Sequence, residues 1–128
     1  MQILAKDVMT VAKNISVVAS TENLLQTVTI LMEKKLSCVL VSENDIFLGI
    51  ITKSDITAAY YKQFDITKTK NRALVQKTIH SCDEDDPIED VAEKMFNERI
   101  HHVLIMKNGK ITGLVSSIDL LKPLVHEK

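Results

Sequence analysis

Apolar and polar positions follow the same order twice along this chain. A short β-branched or apolar run, Ile15–Val18 and again Ile79–Cys82, predicts a strand. Polar helix-start signals follow: Ser20-Thr21-Glu22 in the first half, Asp85-Asp86-Pro87 in the second, where acids precede a proline in the first helical turn. Leu24, Val28, Leu31 and Met32 then recur at helical spacing, as do Ile88, Val91, Ala92 and Met95. Two further apolar runs come next in each half, joined by polar turns. Val39–Val41 leads through Glu43-Asn44-Asp45 into Ile46–Ile51, and Val103–Ile105 leads through Lys107–Lys110 into Ile111–Val115. Asn108-Gly109 between apolar runs predicts a tight hairpin, in which both central residues take positive φ. A closing helix is expected to begin near Thr52 and again near Ser116.

The two halves superpose without a gap at a displacement of 64 positions, as from Gly49 to Gly113. Identities are few: Ile15/Ile79, Val39/Val103, Leu40/Leu104, Asn44/Asn108, Gly49/Gly113 and Asp55/Asp119. Similar pairs such as Leu36/Ile100 and Thr52/Ser116 are more numerous. The expected fold is therefore α/β, two tandem β-α-β-β-α repeats packed about a pseudo-twofold axis. Residues 1–62 form the first repeat, 63–76 a linker and 77–128 the second. A half this short has little room for its own core, so the two are expected to form one unit. The linker tail Lys68-Thr69-Lys70-Asn71-Arg72 is basic and lacks an apolar period. It reads as an exposed loop and as the place for a mobile segment.

Composition narrows the classes. With 128 residues, 45% of them hydrophobic, the chain is an ordinary globular protein rather than a disordered one. A formal net charge of −1 supplies no global field for nucleic acid or an anionic membrane. Only 4% of residues are aromatic and none is Trp, which disfavours stacking on single strands. No apolar stretch approaches the ~20 residues that span a bilayer. Two cysteines, Cys38 and Cys82, build no disulfide framework and read as small core hydrophobes. Together these point to a cytoplasmic protein.

The most informative stretch also occurs twice: Gly49-Ile50-Ile51-Thr52-Lys53-Ser54-Asp55 and Gly113-Leu114-Val115-Ser116-Ser117-Ile118-Asp119. One reading is a helix capping box, although such boxes favour Glu or Gln over Asp at the acid position. The other is a ligand site. A helix N-terminus with a hydroxyl suits a phosphate, a carboxylate one turn on can accept hydrogen bonds from a ribose cis-diol, and glycine lets a flat base approach the backbone.

With these motifs in place, the chain resembles a tandem pair of cystathionine-beta-synthase-type (CBS) domains, a Bateman module, from Val8-Met9-Thr10 to Leu121. The resemblance implies a regulatory module that binds adenosine-type ligands (AMP, ADP, ATP, S-adenosylmethionine, NAD or cyclic dinucleotides) in clefts between the repeats and signals to a partner protein. It implies ribose contacts from Asp55 and Asp119 and phosphate contacts from Thr52 and Ser116. Ser37 and His101 match a position that touches base or phosphate, and Ser16, His80 and Thr10 match contacts to the base. It also implies a homodimer formed through helices, consistent with the apolar Ile56, Ala59, Tyr60, Leu120, Leu121 and Val125 on the closing helices. The chain departs from the family at Leu40 and Leu104, where proline is common. Its second lead-in, Leu74-Val75-Gln76, lacks the Val-Met-Thr pattern.

Other constellations are weaker. His80, Cys82, His101, His102 and His126 show no metal-ligand spacing, so no metal site is expected. No nucleophile elbow, phosphate-binding loop or dinucleotide fingerprint is present, so no enzyme activity and no tightly bound cofactor are expected. The acids Asp83–Asp86 read as a solvated helix start. The alternative to a nucleotide sensor is a ligand-free dimerisation module of the same fold.

Overall fold

The computed structural model describes residues 2–126, which form two compact units. One runs Ser16–Ile79; the other joins the chain up to Ile15 with the chain from His80 onward. Packing thus divides the chain differently from the succession 1–62, 63–76 and 77–128. The segment leading into the first repeat completes the unit of the second, and the 63–76 stretch is built into the first unit.

In the unit Ser16–Ile79, strand β2 (Val17–Ala19) pairs parallel with β3 (Cys38–Glu43), which pairs antiparallel with β4 (Ile46–Thr52). Helix α2 (Leu24–Glu33) crosses between β2 and β3, and α3 (Lys53–Tyr61) follows β4 directly. The β3–β4 turn uses Asn44 and Asp45, both at positive φ, with no glycine. The core gathers Val18, Leu24, Leu31, Val39, Val41 and Ile51. Helix α2 buries Leu24, Thr27 and Leu31, whereas Met32 is 73% exposed and Val28 only half-buried. Apolar residues surround much of α2, so hydropathy alone picks the wrong edge of its buried face.

The linker is no free loop. Leu24 N–H donates to Thr69 O at 2.9 Å, and Ile66, Leu74 and Val75 pack on the core. Asn71 is fully buried, its Nδ2 donating to Ala19 O at 2.8 Å and its Oδ1 accepting from Thr27 Oγ1 at 2.6 Å. The expected exposed tail is thus pinned at its centre by a buried polar pair, while Lys68 and Arg72 on either side stay exposed.

In the other unit, β5 (Ser81–Asp83) pairs parallel with β6 (His102–Lys107), and β6 pairs antiparallel with β7 (Lys110–Ser116). The short β1 (Thr10–Val11) adds a fourth strand antiparallel to β7, after a single helical turn α1 (Ala5–Val8). Helix α4 (Ile88–Glu98) buries Val91 and Met95, and Ala92 is exposed. Asp86 does not cap this helix: its Oδ2 accepts from Asp83 N–H at 2.9 Å, as Glu22 accepts from Ala19 N–H in the first repeat. The closing helix of this repeat is a 3-10 turn, Asp119–Leu121, followed by α5 (Lys122–His126). Pro123 has no N–H to return to Asp119, so one continuous α-helix cannot run through it.

The lead-in segments occupy equivalent places at a displacement of 66 positions, two more than the repeat bodies. Asn71 N–H donates to Glu22 O and Arg72 N–H to Ser20 O in one unit; Ala5 N–H donates to Asp86 O and Lys6 N–H to Glu84 O in the other.

Candidate functional site

Each motif is a strand-to-helix turn held by the same three hydrogen bonds. Thr52 ends β4, and Asp55 Oδ2 accepts from Thr52 N–H at 2.8 Å and from Thr52 Oγ1 at 3.1 Å, while Asp55 N–H donates back to Oγ1 at 3.3 Å. In the second copy Asp119 Oδ2 accepts from Ser116 N–H at 2.9 Å and Ser116 Oγ at 3.1 Å, and Asp119 N–H returns to Oγ at 3.3 Å. The capping box is therefore formed in both. Aspartate suffices because its carboxylate reaches the main chain three residues back.

Capping uses one carboxylate oxygen. The other, Oδ1, accepts from Gln76 Nε2 at 2.6 Å at Asp55 and from Lys122 Nζ at 2.9 Å at Asp119. Lys122 Nζ also donates to Val8 O at 2.8 Å. Asp119 is 9% exposed and Asp55 half-buried. The sequence reading missed Gln76 and Lys122. No repeat signal marks them, since their counterparts in the other half are Thr10 and Ala58.

The remaining candidates sort by unit. Ser16, Ser37, Thr52 and Asp55 belong to one; Thr10, His80, His101, Ser116 and Asp119 belong to the other. Ser37 O accepts from Lys53 N–H at 3.0 Å and His101 O from Ser117 N–H at 2.9 Å, so the main chain of each meets its motif turn. Ser16 O and His80 O occupy equivalent positions, accepting from Leu40 and Leu104 N–H at 3.0 Å each. Thr10, from the lead-in of the first repeat, pairs with Leu114 and so accompanies the second motif. The exposed His101 lines a groove with Phe96, Arg99, Ile100, Ser117 and Leu120.

The motif glycines do not leave room for a base. A Cβ on Gly49 would overlap the main-chain oxygen of Gln76, and on Gly113 the Met9 side chain and Thr10 O. The lead-in segments fill that space. Glycine is needed there for chain packing on the strand.

Among the described residues no group of three or more His, Cys, Asp or Glu could hold a metal ion. No helix of the described residues is long and apolar enough to cross a membrane. Burial pushes the Cys82 thiol pKa up.

The CBS domain family is matched twice, over residues 5–62 and 72–126. The chain belongs to the CBS domain family. Its fold is that of solved CBS domain pairs. One is the pair of protein MJ0100 in complex with 5′-methylthioadenosine and S-adenosyl-L-methionine, at 22% identity, full coverage of both chains and TM-score 0.84. An uncharacterised conserved protein from Pyrococcus horikoshii is 25% identical, with TM-score 0.87 over 100% of this chain and 96% of that one. Among curated proteins, the homoserine O-acetyltransferase of Methanococcus vannielii is 26% identical over 91% of this CBS pair and 24% of its own length. The chain spans about a quarter to a half of the curated relatives it matches.

Proposed function

We propose that this CBS pair is a regulatory module for adenosine-type ligands: AMP, ADP, ATP, S-adenosylmethionine, NAD or cyclic dinucleotides. The observation that carries this reading is the twice-built turn in which a hydroxyl and a carboxylate are locked together, Thr52 with Asp55 and Ser116 with Asp119. Asp55 and Asp119 receive ribose hydroxyls, Thr52 and Ser116 take the phosphate by turning onto it the O–H that Oδ2 otherwise accepts, and Ser37, His101, Ser16, His80 and Thr10 line the remainder. The adenosine compounds named with MJ0100 support the same ligand class. The module has no catalytic role and no tightly bound cofactor; its ligand is an exchangeable signal, read by a regulated protein in the cytoplasm.

A homodimer fits the exposed Tyr60 and Tyr61 on α3 and the exposed Leu121, Leu124 and Val125 near the chain end. Ile56, Leu120 and Ala59 are not available to a partner, because the first two pack on their own cores and Ala59 is buried.

A ligand-free dimerisation module is the second reading, favoured by both caps closing on hydrogen bonds between the chain's own groups. A thermal-shift panel of the six ligand types separates the two. Binding raises stability by about 2.7 kcal/mol at a hundredfold excess over Kd, a shift of several degrees. A flat response to all six at millimolar concentration, with a dimer mass in sedimentation, establishes the second reading instead.

A further inference from the structure

Gln76 and Lys122 place an N–H donor on the same atom of the two motif carboxylates, Oδ1, at 2.6 Å and 2.9 Å. They reach it from unrelated places. Lys122 lies three residues after its aspartate, where the first repeat has Ala58; Gln76 lies in a lead-in segment, where the other lead-in has Thr10. A shared ancestral residue therefore does not account for the coincidence. Both are anchored: Gln76 by main-chain bonds to Ile50 at 2.8 and 3.1 Å, Lys122 by Val8 O.

With Oδ2 occupied by the cap, each turn offers Oδ1 as acceptor and, beside it, a nitrogen with a hydrogen to spare. An amide nitrogen carries two hydrogens and Gln76 uses one here; an ammonium carries three and Lys122 uses two. Adjacent acceptor and donor match a vicinal diol, in which one hydroxyl donates while its neighbour accepts. A single hydroxyl satisfies only half of the pair. We infer that Gln76 and Lys122 are ligand-binding residues and that each motif reads an intact cis-diol through a carboxylate paired with an N–H. This inference rests on the adenosine-type reading of the same turns.

Calorimetric titration of the full chain with adenosine, 2′-deoxyadenosine and 3′-deoxyadenosine tests it. Gln76→Met and Lys122→Met are each expected to weaken adenosine at one site by ~10-fold, the scale of one hydrogen bond. The affinity for one of the two deoxy analogues, the one already lacking the accepting hydroxyl, stays within about twofold. Lys122→Gln, which keeps an N–H, retains adenosine binding. Equal losses on all three nucleosides make these residues structural and overturn the inference, as does no loss at all. Should Lys122→Met fail to fold, the exposed Gln76→Met decides the matter alone. A wild type that binds another adenosine ligand but none of these three overturns the diol pair only. One that binds no adenosine ligand overturns the underlying reading as well.

Discussion

Replacing Thr27 by valine removes one hydroxyl and almost no volume, at a site with no access to water. Thr27 and Asn71 are both fully buried, and their 2.6 Å hydrogen bond is the partner of Asn71 Oδ1. Losing that donor leaves a buried amide oxygen unsatisfied, a cost of ~1–3 kcal/mol. Asn71→Ala strands the Thr27 hydroxyl and opens a small cavity, for a cost of about 2–3 kcal/mol. The double variant recreates the other unit, where Val91 stands for Thr27 and Ala5 for Asn71, both fully buried in one apolar cluster. Ala19 O loses its bond from Asn71 but still accepts from Glu22 N–H at 3.1 Å. The double variant should therefore be less destabilised than the two single losses combined, by at least ~1.5 kcal/mol of coupling. Urea unfolding followed by far-ultraviolet circular dichroism measures all four proteins. Additive losses, with coupling near zero, would refute the claim that the polar pair is one interchangeable unit.

Gly49→Ala should cost ~1–3 kcal/mol and more than Gly113→Ala, because its obstacle is a main-chain oxygen whereas Gly113 first meets the flexible Met9 side chain; thermal denaturation ranks them. Asp119→Asn should destabilise the ligand-free protein by ~1–3 kcal/mol, since it sets an amide against the Lys122 ammonium at a buried position, and Asp55→Asn by only about 0.5–1 kcal/mol; equal losses would contradict the assignment of their partners. Lys107 and Lys6 hold the exposed Asp85 carboxyl below its usual pKa. A depressed folded pKa contributes stability above the unfolded value and loses it as pH falls through the folded one, so the stability gap between wild type and Asp85→Asn should close below pH ~4 and narrow in 1 M salt. Unfolding midpoints across pH read this directly; a gap that widens in acid would show the sign to be wrong.

How far the sequence could be read depended on whether a contact was written in hydrophobicity. Strands β3, β4, β6 and β7 and their hairpins followed from apolar runs and turn chemistry, and the register of the repeat bodies came from Gly49/Gly113 and Asp55/Asp119. The family resemblance pairs the lead-in segments Val8-Met9-Thr10 and Leu74-Val75-Gln76, but their packing against the motif strands was not legible, because they match at 66 positions rather than 64 and share little chemistry. The space beside the glycines was assigned to a ligand for the same reason: nothing local says that a chain segment distant in sequence will lie there. Asn71 was misread since a polar residue among lysines looks solvated, and its partner Thr27 lies 44 residues away. At the site, the hydroxyl and acid of each motif were visible as a pattern, whereas Gln76 and Lys122 belong to no pattern.

Capping and ligand binding read as alternative roles for the motif aspartate, but capping occupies only Oδ2 and leaves Oδ1 to a donor from outside the motif, Gln76 or Lys122. Oδ2 is held by the hydroxyl and N–H of the turn, which fixes the carboxylate plane; Oδ1 is thereby aimed at whatever lies beside the turn. A carboxylate oriented by its own cap needs no reordering when a ligand arrives, so less of the interaction is offset by lost side-chain freedom. The preference for Asp over Glu then has a physical basis. Glutamate would make the cap with an extra rotatable bond, and its second oxygen would be less closely aimed. Two copies that have diverged at most positions, keeping only six identities across their bodies, hold this arrangement within 0.1 Å in each of its three hydrogen bonds. What differs is the donor on Oδ1, a neutral amide in one and a cation in the other. Divergence has therefore changed the partner of Oδ1 and spared the hydrogen bonds that fix the turn, the distribution expected when the cap is required by the fold in both units and the second oxygen takes whichever donor its own unit supplies.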